Sequence, residues 1–308
     1  MPLRRAVVAL VLAGSAAATL APAQRQPLPP PGQAAPPAAV AEPASEAALR
    51  NLLELPGSRV DMRYAADTLD RASRVQRRLE TLHELWQPLA PAPLDWRAAA
   101  VTEETWNALG AGRPWGLPVR LGESLFVVPA HGDAGTVAAV ERLLGGKVPV
   151  AEELPVTGTP EEVGSLAVSD VLLQVEAARA FVATAGLAGD EPWIDGVFVQ
   201  LAARLAWEAA EPGRTLEIVA LFDRIAAVRG GPRAHRLADY QRAGDAEREL
   251  WFQAQFVRGA DAIWVEEGRF GTQRRLARWI SRRKPVTRAE LEKRYPALGE
   301  WQRAAFAP

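Results

Sequence analysis

The stretch LLQVEAARAFVATAGLAGDEPWID, Leu172 to Asp195, has the outline of a helix, a turn and a second helix. Leu172, Val175, Phe181 and Val182 supply apolar surface at helical spacing, Ser169 or Asp170 is placed to cap the start, and Gly186 ends the run. Glu176 lies three residues before Arg179, so a local ion pair is available, worth about a few tenths of a kcal/mol if exposed. Nothing else in the stretch offers chemistry. The question it poses is whether this is ordinary core or a site whose working residues are gone.

Working outward, the two sides of the stretch differ. Upstream, SRVDMRYA reads as a strand, DTLDRASRVQRRLETLHELWQPLA as an amphipathic helix and LDWRAAAVT as another strand. EETWNAL reads as a short helix with Thr102 as N-cap, SLFVVPA as a buried strand, and DAGTVAAVERLLGG as a helix ended by glycines. From about Pro160 onward strand signals nearly vanish, and the segments around Val171, Val199, Ile218, Phe252 and Leu276 all read as helices. The expected fold class is α+β, with a small α/β lobe over 45–150 followed by a mostly helical lobe over 151–308.

The first 44 residues are of another kind. MPLRR is a basic start, AVVALVLAGSAAATL an apolar run and APA before Gln24 a small-residue cleavage signal, so 1–23 reads as an export signal. A retained membrane anchor is the alternative, though the apolar run is short for a span. QRQPLPPPGQAAPPAAVAEP, within a linker over 24–44, is too rich in proline and alanine to bury a core. The expectation is a periplasmic or secreted protein with no integral membrane segment after signal cleavage.

Composition narrows the chemistry. The 308 residues include no cysteine, which removes disulfides, thiolate metal sites and a cysteine nucleophile. A net charge of -1 argues against nucleic acid as a partner. GAGRPWG misplaces the last glycine of a dinucleotide fingerprint, and GGKVPV lacks the Ser/Thr and earlier glycine of a phosphate loop. No Gly-x-Ser-x-Gly elbow occurs. His83, His131 and His235 stand isolated. HELWQ, His83 to Gln87, approaches the His-Glu-x-x-His zinc pattern, but Gln87 replaces the second imidazole and Leu82, Leu85 and Trp86 mark a buried face. The C-terminal RFGTQRRLARWISRRKPVTRAELEKRYP interleaves arginines with Leu276, Trp279 and Ile280. It suits an amphipathic helix with solvated arginines, or an anion-binding patch.

Five pieces occur in a telling order: WNALG at Trp106 to Gly110, WGLP at Trp115 to Pro118, FVVPA at Phe126 to Ala130, WIDG at Trp193 to Gly196, and FQAQF at Phe252 to Phe256. In order and spacing, over most of the chain after Ser45, they resemble exported bacterial zinc metallopeptidases of the gluzincin, peptidase MA-like type. The resemblance implies a zincin-like fold and sets VEAAR where His-Glu-x-x-His belongs. Val175 then replaces the first histidine, Arg179 the second, and Glu176 keeps the glutamate position. Gly196 replaces the ligand glutamate that would follow Asp195. Valine and glycine offer no lone pair and arginine is a permanent cation, so the resemblance implies no metal, no cofactor and no catalytic residue. Without the flanking pieces, VEAAR is plain helix.

Three functions follow as expectations. The first is an inactive peptidase-like protein that keeps a cleft between its lobes and binds an unidentified protein or peptide there or on another surface. The second is a hydrolase that uses Glu176, Asp195 or Glu208 as an acid/base pair. The third is an envelope-associated structural protein whose Arg-rich end binds an anionic surface.

Overall fold

A computed structural model of the chain describes residues 44–110, 115–131, 140–142, 160–210, 212–228 and 246–306, with side chains from 47 and, in the second half, from 168. The export-signal and linker readings fall outside these residues, as do GGKVPV, His235 and most of DAGTVAAVERLLGG, of which 140–142 are helical. Residues 42–308 form one unit.

The architecture is mixed, a five-stranded sheet in a largely helical chain, compatible with α+β. The order is α1 (Ala44–Leu49), β1 (Leu53–Leu55), β2 (Val60–Tyr64), α2 (Leu69–Trp86), β3 (Trp96–Val101), α3 (Glu103–Ala108), β4 (Val119–Leu121) and β5 (Leu125–Pro129). Then come α4 (Pro160–Thr184), α5 (Pro192–Ala210), α6 (Thr215–Ala227), α7 (Ala246–Arg282, broken at Gly268), α8 (Arg288–Arg294) and α9 (Pro296–Ala305). Among the described residues no helix is long and apolar enough to cross a membrane.

The sheet runs β1-β2-β3-β5-β4, with β2, β3 and β5 parallel and the two edge strands antiparallel. Parallel strands are covered on both faces, which explains why AAAV and LFVVP read as unbroken apolar runs. Val60, Met62, Ala98, Ala100, Phe126 and Val128 turn to the main core with α2 and α4. Ala99, Val101, Leu125 and Val127 turn to the opposite face, where Leu49 of α1 and Trp106 of α3 cover them. The Thr102 hydroxyl accepts from the Thr105 N–H, as an N-cap should. The edge strands β1 and β4 have three residues each, too few to show a period, and exist because β2 and β5 offer them partners.

Sequence expectation and structure part at the start of the central helix. Ser169 and Asp170 do not cap it: α4 begins at Pro160, so both lie inside it. Asp170 is buried and reaches across to α2, where the Arg71 and Arg78 guanidinium groups hold its two carboxylate oxygens. A polar pair that resembles a cap in one dimension is here a tertiary ion-pair anchor. The far end of α4 closes as expected. Gly186 has φ 61, its N–H donates to the Ala183 carbonyl, and Leu187 N–H donates to Val182, the pairing of a Schellman motif.

HELWQ also resolves. His83 is buried, and its Nε2–H donates to the Leu94 carbonyl at 2.9 Å. One turn on, the Gln87 amide oxygen accepts from the Leu94 N–H at 2.9 Å. The pair satisfies both backbone groups of one residue and so fixes the approach to β3. Behind it, Trp86 stacks on Phe181 at 5.3 Å and meets Trp96 edge-on at 5.9 Å, which ties α2 to α4 and to the sheet.

Candidate functional site

The VEAAR segment lies mid-way along α4, packed against α5 and the sheet. Val175 and Glu176 are buried, and the Arg179 side chain is about one quarter exposed. Arg179 Nε stands 3.5 Å from Glu176 Oε1, the local pair expected from their spacing. The small value that holds for an exposed pair does not apply here, because the Glu176 carboxylate is almost wholly shielded from water. Removing its cationic partner would leave a buried charge less well compensated.

The surroundings leave little space. Leu117 and Pro118, from the loop before β4, and Glu249, Leu250 and Gln253, from α7, close over Val175 and Glu176. The volume enclosed is about 10 Å³, at the lower limit for one water molecule. Beside it the Gln200 amide donates to the Gln253 amide oxygen, so the polar groups of α5 and α7 are turned to each other. An open peptide cleft does not exist at this point among the described residues.

WIDG opens α5. Trp193 is buried and its indole N–H donates to Glu191 at 2.7 Å. Asp195 accepts from the Gly189 N–H at 2.7 Å, which pins the loop between α4 and α5. The same loop pairs through Gly189 with Val286. Burial holds the Asp195 carboxyl above its ordinary value, against the opposing pull of the Gly189 N–H. A raised carboxyl is destabilised in its charged form, so its cost to the fold is absent below the unfolded value and appears as pH rises through the folded one. Asp195→Asn keeps the acceptor and removes the charge. Urea denaturation should therefore show a larger relative gain in stability for the variant at pH 7 than at pH 3.5; an equal difference at both would contradict the assignment.

Gly196 is buried, and a Cβ there would stand 2.7 Å from the Phe256 ring of α7. A side chain at this position would meet an aromatic ring at closer than van der Waals distance. Asp195 and Glu208 lie at opposite ends of α5, about 20 Å apart at 1.5 Å per residue, so those two do not form an acid/base pair. Among the described residues no three His, Asp or Glu side chains are grouped as metal ligands.

Two features went unnoticed in the sequence. A recess of about 330 Å³ lies beside β1, β2 and β3, lined by Leu49, Leu55, Met62, Asp61, Arg63 and Arg97 among others. Glu54 and Arg63 pair across its rim at 3.4 Å. The second is the arginine face of α2, where Arg71, Arg74, Arg77 and Arg78 recur at helical spacing. That spacing is visible in RASRVQRR, but apolar periodicity dominates the same segment and hides it.

No protein-family model matches the chain, and neither a curated protein nor a solved structure matches it.

Proposed function

We propose that the chain is an exported, non-catalytic relative of zinc metallopeptidases that works by binding a protein or peptide. The observation that carries this reading is the chemistry at the three positions where the resemblance expects ligands. Val175 is a buried hydrocarbon, Arg179 is a cation paired to the retained Glu176, and Gly196 is shut against Phe256. None of the three has a lone pair to give a metal ion, and the third has no room for a side chain that would. The packed space at Glu176 moves the binding surface of this reading away from the former site and onto another face of the scaffold.

The test is metal content. Purified protein dialysed against micromolar zinc and then against buffer should retain far less than one zinc per chain by plasma mass spectrometry. A single zinc that survives dialysis would overturn the reading, as would peptide hydrolysis that disappears in Glu176→Gln.

A further inference from the structure

We propose that Arg74, Arg77 and Arg78 of α2 form a binding site for a phosphate-class oxyanion, a function that no part of the peptidase-like reading supplies. The three line a recess of about 240 Å³ together with Thr81, and Ala210, at the C-terminal end of α5, forms its far wall. Arg74, Arg77, Arg78 and Thr81 are spaced three, four and seven residues apart, so they share one face of the helix. Like charges at that spacing oppose helix formation, so the arrangement is one that an anion would relieve.

Ordinary solvated arginines are usually offset by carboxylates on the same helix. On α2 only Asp70, exposed one turn before Arg74, shares that face, and the other two carboxylates are turned elsewhere. Glu80 accepts from the backbone N–H groups of Ser58 and Arg59, and Glu84 pairs with Arg59 at 3.3 Å. From α4, Asp170 meets the arginine face, and Arg71 and Arg78 occupy both of its oxygens. No carboxylate pairs with Arg74 or Arg77 among the described residues. Arg71 itself is fully buried, with Nε and Nη2 left without a partner, and Arg74 and Arg78 both press on it as like charges. The cluster therefore carries more positive charge than the protein neutralises.

Guanidinium groups present paired N–H donors in a planar fork that matches the oxygens of phosphate. Two such forks, from Arg74 and Arg77, with Arg78 held beside them by Asp170, give one concavity that suits a tetrahedral anion. In the C-terminal segment, the expected anion patch, Arg275 and Arg294 bind Glu267, Arg282 binds Glu290 and Arg288 binds Glu292, while Arg274 and Arg278 stand exposed on α7.

Inorganic phosphate, titrated at constant ionic strength and followed by ³¹P line broadening, and vesicles of phosphatidylglycerol in phosphatidylcholine, followed by co-sedimentation, test the site. The double variant Arg74→Ala/Arg77→Ala should lose about tenfold or more in affinity, the scale of one charge-assisted hydrogen bond. The control Arg274→Ala/Arg278→Ala, on exposed positions of α7, should bind as the parent does. Loss in the phosphate arm identifies a free anion; loss confined to the vesicle arm identifies a lipid headgroup. Binding in neither arm, or equal loss in both variants, overturns the proposal.

Discussion

Asp170→Ala should destabilise the protein by about 3–5 kcal/mol, the range for stripping the counter-ion from a buried charge. Arg71 and Asp170 are each at most about 5% exposed, and two guanidinium groups converge on the one carboxylate. Without it, Arg71 remains in the interior with Arg74 and Arg78 as its nearest charges. Burial already pulls the Arg71 guanidinium below its ordinary value, and Asp170 is what opposes that pull. Urea denaturation gives the difference directly. The paired variant Arg71→Met/Asp170→Leu should recover most of the loss, because a buried ion pair replaced by apolar side chains is often close to neutral. A loss under about 1 kcal/mol for Asp170→Ala would show that water reaches the pair and that it does not anchor α4 to α2.

The second large effect is expected at Gly196. Gly196→Ala should lower stability by about 1–3 kcal/mol, the usual cost of forcing a methyl group into a filled core. The added carbon meets three ring atoms of Phe256 between 2.7 and 2.9 Å, and Phe256 is itself fully buried on α7. The close contact is where α5 and α7 meet, so relief requires the two helices to separate or the ring to turn. A double-mutant cycle with Phe256→Leu isolates the contact: the double variant should be less destabilised than the two single losses added. Gly196→Ala within about 0.5 kcal/mol of the parent would show that the ring yields freely. A glutamate built at 196 would bury a charge against an aromatic ring, so building a zinc site at 175, 179 and 196 requires repacking α7 as well as adding the ligands.

Several elements were legible before any coordinates. The parallel strands β3 and β5 show as apolar runs because both faces are covered, β2 shows through alternation, and α2 shows its buried stripe of Val75, Leu79, Leu82 and Trp86. Thr102 and Gly186 mark helix ends through local hydrogen bonds that their own neighbours complete. The Glu176–Arg179 pair follows from one helical turn of spacing. The Arg-rich end behaves as an amphipathic helix, with Leu276 and Trp279 buried and Arg274 and Arg278 outward.

Other features were not legible, each for the same reason. Ser169 and Asp170 look like a cap, yet Asp170 answers to arginines nearly a hundred positions away. His83 and Gln87 look like a broken metal motif, yet both are used on the backbone of Leu94. The three-residue edge strands have no period of their own.

By itself the amino-acid sequence determined the buried strands, the helical second half and the residues that stand at 175, 176, 179 and 196, because these depend on periodicity and identity along the chain. Only the tertiary structure decided that the space at Glu176 is packed, that Gly196 abuts Phe256 and that Arg74 and Arg77 of α2 face a recess beside α5. Packing and charge balance are set by distances between segments remote in the chain, and those distances exist only once the chain is folded.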